Sequence, residues 1–236
     1  MAVLSTFSGC SASDDPAPAG STPTTGRAPG SEASGRVPTG PNAAGDWQRV
    51  NLSFVSAYLL VRGSEVAVVD LGTDGSAGAI EAALRAAGTG WGAVRHIVLT
   101  HRHPDHVGGL AGVEPLVSAS LYAGEADVSA IDSPTSVKPV KDGDEVFGLQ
   151  IIGTPGHTAG HISVFDPGTG VLVAGDALRT NAGLAGSDPR YTADAAQAAA
   201  SVRRLATLDV RTILPGHGEP LTSGAAEALR KLADSL

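Results

Sequence analysis

The chain has 236 residues, 42% of them apolar and 17% charged, enough for one domain with a sizeable core plus a tail. Its formal net charge of −8 argues against nucleic acid as the main partner, because phosphate backbones attract basic surfaces. No apolar run approaches the roughly 20 residues that span a bilayer, and the single cysteine, Cys10, excludes an internal disulfide and a thiolate-rich metal site.

The N-terminal segment reads in two pieces. Residues 1–10 are mildly apolar and end in Phe7-Ser8-Gly9-Cys10, which resembles the tail of a bacterial lipoprotein signal. The basic n-region and longer apolar core of such a signal are missing. Either the start lies upstream of Met1, which makes this an extracytoplasmic protein anchored by lipid at Cys10, or Cys10 is a lone cysteine in the tail of a cytoplasmic protein. Residues 11–46 are Ser, Thr, Pro, Gly and Ala with scattered charges, a composition expected to form a disordered linker.

A folded domain is expected over residues 47–236. Ser56–Val61 and Glu65–Asp70 are apolar runs joined by Arg62-Gly63-Ser64, a hairpin pattern. Residues 75–87 carry Ile80 and Leu84 four apart and read as an amphipathic helix. Val94–Leu99 is a strand, and residues 119–122 and 145–152 are further strands. Ile162–Phe165 and Val171–Ala174 are separated by Asp166-Pro167-Gly168-Thr169-Gly170, a turn sequence. An Ala-rich helix over 193–206, a strand over Thr212–Leu214 and a helix over 224–235 close the chain. Hairpins first, then strands alternating with helices, predict a layered α/β domain with its site along one sheet edge.

His101-Arg102-His103-Pro104-Asp105-His106 packs four metal-ligand side chains into six residues. Imidazole and carboxylate suit zinc, and also iron or manganese. Pro104 interrupts any strand, so the run is expected as a tight loop between a strand and a helix, its side chains diverging to serve two metals. Three more positions share one placement, a strand end, a glycine, then a ligand type: Gly156-His157, Gly175-Asp176 and Gly216-His217. Any one alone reads more simply as a turn residue. Of the remaining histidines, His96 reads as a packed strand residue and His161 as a structural neighbour of the site.

Together Thr100–Gly109, Thr154–Ser163, Ala174–Asp176 and Leu214–Gly218 resemble the metallo-β-lactamase-fold hydrolases, from about residue 47 onward. The resemblance implies a four-layer αββα sandwich with metals at its edge. It makes His101, His103 and His157 ligands of a first metal, Asp105, His106 and His217 ligands of a second, and Asp176 the bridge. Asp70 matches a family aspartate that organises the site without binding metal, beside its plainer reading as a strand-end turn residue. The implied cofactors are two divalent ions, zinc ahead of iron or manganese. They acidify a bridging water so that hydroxide is available near neutral pH, with Asp105 orienting it and passing a proton to the leaving group.

Members that cleave β-lactams commonly place a cysteine near the second metal. An aspartate at 176 resembles the thioesterase and lactonase branches, so the expected substrate is a small ester, thioester or lactone. The residues after His217 are too few for the helical domain that glyoxalase II enzymes add. Residues 124–140 and 177–192 are the expected pocket loops, with Arg179, Asn181, Arg190 and Tyr191 as candidate substrate contacts or solvated loop positions. Two alternatives stand: a one-iron redox enzyme like the persulfide dioxygenases, and a non-catalytic metal- or ligand-binding protein of the same fold.

Overall fold

The computed structural model describes residues 47–236. Cys10 and the expected linker over 11–46 lie outside the described residues.

Six strands form the first sheet: β1 (Trp47–Leu52), β2 (Val55–Arg62), β3 (Glu65–Val69), β4 (Val94–Leu99), β5 (Ser120–Gly124) and β6 (Val137–Val140), adjacent in that order. The first three meander antiparallel, and β3 to β6 run parallel. The second sheet holds β7 (Glu145–Val146), β8 (Leu149–Gly153), β9 (Ile162–Asp166), β10 (Val171–Arg179), β11 (Ala185–Gly186) and β12 (Thr212–His217). Here β12 lies parallel to β10, whose other neighbours, β9 and β11, are antiparallel to it. Helices α1 (Ala77–Ala86), α2 (Pro104–Val107) and α3 (Leu110–Val113) precede β5, while α4 (Ala195–Leu205) and α5 (Ala225–Asp234) flank β12 in sequence.

The strands are apolar at successive positions because both their faces are covered. Side chains alternate, so Tyr58 and Leu60 of β2 and Ala67 and Val69 of β3 enter the space between the sheets. There they meet Leu149, Ile151, Val164, Val171 and Val173 of the second sheet. The intervening Ala57, Leu59, Val66 and Val68 face the other way, onto Ile80 and Leu84 of α1. In the second sheet, Leu172 and Ala174 turn outward onto Val202 and Leu205 of α4 and Leu229 of α5. The layers are therefore helix, sheet, sheet, helix, the expected αββα order. Each fully buried Leu, Ile or Val contributes about 1.5–3 kcal/mol, so the interior between the sheets is a rigid platform for its edges.

Four expectations need correction. The run 145–152 is a tight hairpin, β7 and β8, turned by Phe147 and Gly148, both with positive φ (56° and 75°). Strand β10 does not stop at Ala174 but continues to Arg179 through register shifts either side of Gly175. Strand β12 likewise runs on to His217. The latter half of the 101–106 run is not loop but the first turn of α2, with Pro104 at its start, where a missing N–H costs nothing. Strands β1 and β6, which the sequence reading did not identify, complete the first sheet.

Candidate metal centre

One edge of the sandwich collects the ligand-type side chains. His101 and His103 follow β4, and Asp105 and His106 ride on α2. His157 lies in the turn between β8 and β9, Asp176 lies at the register shift in β10, and His217 ends β12. Distant in the chain, all seven converge.

Three imidazoles meet first. The Nδ1 of His103 lies 3.1 Å from His101 Nε2 and 2.9 Å from His157 Nε2. A second group is formed by Asp105, His106 and His217, whose ligand atoms all lie within 4.8 Å of one another. His217 Nε2 is 3.2 Å from Asp105 Oδ2. Asp176 sits between the two groups: its Oδ2 is 3.3 Å from both His157 Nε2 and His217 Nε2, and its Oδ1 is 3.2 Å from His106 Nε2. Both of these last atoms are buried with no hydrogen-bond partner among the described residues.

The opposite nitrogens are held in four of the five rings, His103 being the exception among the described residues. His101 Nδ1 lies 3.1 Å from Thr100 Oγ1, His106 Nδ1 2.8 Å from Asp70 Oδ2, His157 Nδ1 2.8 Å from Ser187 Oγ, and His217 Nδ1 2.7 Å from the carbonyl oxygen of Phe54. This is how metal-binding histidines are oriented in general: one nitrogen is fixed by a partner so that the other aims at the ion. Asp70, buried with φ of 61°, also accepts from the Thr100 amide (2.7 Å) and hydroxyl (2.8 Å), tying β3 to the start of the histidine run. His161 differs. Its Nδ1 pairs with Thr154 Oγ1 (2.8 Å) and its Nε2 accepts from the Asp176 amide (3.0 Å), so both nitrogens are engaged within the protein and the ring holds the Asp176 backbone. His96 is remote, stacked 4.8 Å from Phe147 and 6.2 Å from Tyr122, as expected of a strand residue.

Glycine precedes three of the ligand-type residues, and at all three the reason is steric: a Cβ on Gly156, whose φ is 133°, would stand 2.2 Å from the Ala198 amide nitrogen. A Cβ on Gly216 would stand 2.3 Å from Asp176 Oδ1 and 2.8 Å from His106 Cε1. Gly175 has φ of 51°, and a Cβ there would press on His161 Nε2 and Thr100 at 2.8 Å.

Electrostatics divides the cluster. Burial lowers the pKa of His101 well below the ordinary histidine value, aided by the neighbouring His106. Burial also lowers His103, takes His157 to about 4 and takes His161 to about 3. These rings are neutral at pH 7, and those of His101, His103 and His157 can offer lone pairs. Burial opposes charge on His106 too, but the carboxylates of Asp176 and Asp70 outweigh it and raise its pKa well above the usual value. For His217 the carboxylates of Asp105 and Asp176 likewise overcome burial, giving about 10. Burial would raise Asp176, yet His106 and the other histidines hold it well below the carboxylate range. Without an ion, protons on His106 and His217 balance the carboxylates.

The residues fit divalent ions. His103 Nδ1 lies within 3.1 Å of two other inward ring nitrogens, and Asp176 Oδ1 and His106 Nε2 are buried with no hydrogen-bond partner among the described residues. Buried polar atoms in this state carry a cost that a cation removes, and N/O donors of this kind suit zinc, iron or manganese.

The cluster lies in the wall of a cavity of about 870 Å³. Arg179, Asn181, Arg190 and Tyr191 line it, as expected of the 177–192 segment, with Phe54 also in its wall. The expected contribution from 124–140 is not found: no residue of that segment lines the cavity. It instead sends Asp127 into the protein, where its carboxylate is fully buried. The sequence reading missed Phe54, Thr100, Asp127 and Ser187 as parts of the centre. Only Thr100, adjacent to the histidine run, carried a local signal.

Comparison with known proteins agrees with this fold. A family model described as the metallo-beta-lactamase superfamily matches residues 50–217. Protein YobT of Bacillus subtilis, which is uncharacterized, is 30% identical over 201 residues, covering 72% of this chain and 85% of that protein. The hydroxyacylglutathione hydrolase of Rhodobacter capsulatus is 31% identical over 136 residues, covering 56% of this chain and 51% of that one. Among solved structures, a metallo-beta-lactamase family protein from Thermus thermophilus, TTHA1429, superposes with a TM-score of 0.64 at 27% identity, covering 80% of this chain and 79% of its own.

Proposed function

Because the chain belongs to the metallo-beta-lactamase superfamily, we propose that it is a metal-dependent hydrolase that binds two divalent ions, zinc first among them, and cleaves a small ester, thioester or lactone. The observation that carries this reading is the convergence of seven ligand side chains into two adjoining groups joined by Asp176. His101, His103 and His157 would hold one ion, Asp105, His106 and His217 the other, and Asp176 would serve both. Ions bound there supply Lewis acidity, acidifying water and polarising the oxygen under attack.

The chain's own residues supply the rest. Asp105 lines the cavity beside His217, half-buried. In the ion-free protein burial favours its neutral form, but His217 and His106 outweigh it and hold its pKa below the usual range, so it is a carboxylate, the form that can accept a proton. It can return that proton to the leaving group. Arg190 is engaged by Asp188 at 2.8 Å. Arg179 is not: its Nε is buried without an acceptor among the described residues, which leaves the guanidinium to meet a substrate oxygen.

The hydroxyacylglutathione hydrolase relative takes an acylated glutathione by name, which supports an acyl substrate here. The complete second donor set, Asp105, His106 and His217, supports the two-ion hydrolase over a one-iron redox enzyme. The test is a panel of thioesters, lactones, phosphodiesters and β-lactams assayed with counted metal. Turnover of an ester, thioester or lactone, lost on chelation and restored by zinc, is expected. A fully loaded protein inert towards those three classes would refute the proposal.

A further inference from the structure

We infer that the two metal positions are braced independently, the first by Asp127 and the second by Arg49. The inference rests on the two-ion reading above and concerns residues that touch neither the ions nor the cavity.

Asp127 follows β5 and is fully buried. Its Oδ2 accepts from the Arg102 amide at 3.1 Å and from Thr158 Oγ1 at 2.6 Å, and its Oδ1 accepts from the Gly160 amide at 3.0 Å. The Arg102 guanidinium lies 3.6 Å from Oδ1. Arg102 stands between His101 and His103, Thr158 follows His157, and Gly160 precedes His161. One carboxylate thus pins the two loops that present the three histidines of the first position. The packing behind it allows no slack, since a Cβ on Gly160 would stand 2.3 Å from the Asp127 amide nitrogen. An asparagine would keep the shape and lose the function. Whichever way its amide turned, an NH2 group would face an N–H or O–H donor.

Arg49 does the equivalent for His217 from the other side. It lies on β1 with its side chain 10% exposed. Its Nε donates to Ser56 Oγ at 2.9 Å, one terminal nitrogen donates to the Gly218 carbonyl at 2.9 Å, and the other pairs with Glu219. Ser56 belongs to the hairpin whose turn supplies the Phe54 carbonyl that orients His217, and Gly218 and Glu219 directly follow His217. Arg49 therefore clasps both sides of the hydrogen bond that aims this ligand. The Phe54 ring lies nearly parallel to the imidazole, 8° between planes at 6.1 Å. Among the described residues the Arg49 and Asp127 networks share no hydrogen bond, so each can be broken alone.

The test is zinc titration against a chromophoric chelator in two backgrounds, His217→Ala, which leaves the first position, and His103→Ala, which leaves the second. Asp127→Asn is expected to weaken the ion in the His217→Ala background by about 10–100-fold, the usual effect of losing a residue that orients a ligand. It should leave affinity in the His103→Ala background unchanged. Arg49→Met should show the reverse pattern. Thr158→Val, which removes one of the bonds to Asp127, and Arg49→Lys, which keeps the charge with fewer donors, should show the same selectivity at smaller size, and they serve if the stronger variants do not fold. A brace that only stabilises the fold would weaken both backgrounds alike, and that result, or no change in either, overturns the inference. Absence of zinc binding in both backgrounds with the unaltered braces would overturn the two-ion reading and the inference with it.

Discussion

Asp70→Asn isolates the role of one carboxylate in preparing the centre. Asparagine tolerates the positive φ of 61° at this position, so backbone strain does not confuse the result. Its amide oxygen can still accept from the Thr100 N–H, now 2.7 Å away. The NH2 group then faces Thr100 Oγ1 and His106 Nδ1, both 2.8 Å from the present Oδ2. His106 must accept there instead of donating, which places the proton of its neutral ring on Nε2. That is the nitrogen aimed at Asp176 and needed as a lone pair. Losing such an orienting partner costs about 10–100-fold in metal affinity, or about 1.4–2.8 kcal/mol at about 1.4 kcal/mol per decade. Asp70→Ala should be worse for stability as well. It strands the buried Thr100 and His106 donors, each at about 1–3 kcal/mol. Zinc titration and thermal unfolding of both variants measure these effects. Wild-type affinity for both ions in Asp70→Asn would refute the tautomer argument.

Three further outcomes are expected. Asp105→Asn should lower kcat by about 10²–10⁴-fold if the carboxylate moves the proton, measured with the bound metal counted, and full activity at unchanged metal content would argue against that role. Metal binding should release protons and tighten as pH rises from about 6.5 towards 9. In the metal-free protein His217 keeps its proton up to about 10 and the His106 pKa is raised as well, yet both must be neutral to bind an ion. Calorimetry in buffers of different ionisation enthalpy reads the protons, and pH-independent affinity would contradict it. Chelation should lower the unfolding temperature, because an ion held at 100 times its Kd adds about 2.7 kcal/mol to the native state; unchanged melting on metal removal would count against tight binding.

The candidate site was legible in the sequence because three of its ligand-type side chains each directly follow a glycine in or just past an apolar strand, as Gly156-His157, Gly175-Asp176 and Gly216-His217. The His101–His106 run needed only its own spacing. The fold was legible wherever both faces of a strand are buried, as in β2, β3 and β4, where the apolar run is continuous. It was not legible where burial is one-sided or short. β1 mixes Gln48, Arg49 and Asn51 with buried Trp47 and Val50, and β6 contains Lys138 and Pro139, so neither shows a strand pattern. The residues that orient the ligands were harder still. Asp127 lies 25, 31 and 33 positions from the residues it joins, and Phe54 acts through its carbonyl oxygen, a group every residue has. Such roles exist only once distant loops have been brought together.

The most direct measurement is the number of divalent ions per chain in purified protein after zinc reconstitution, repeated for His103→Ala and His217→Ala. Two ions per chain, falling to one in each variant, is the result this site requires. No bound ion, or one ion lost equally in both variants, would contradict a two-metal centre built on Asp176.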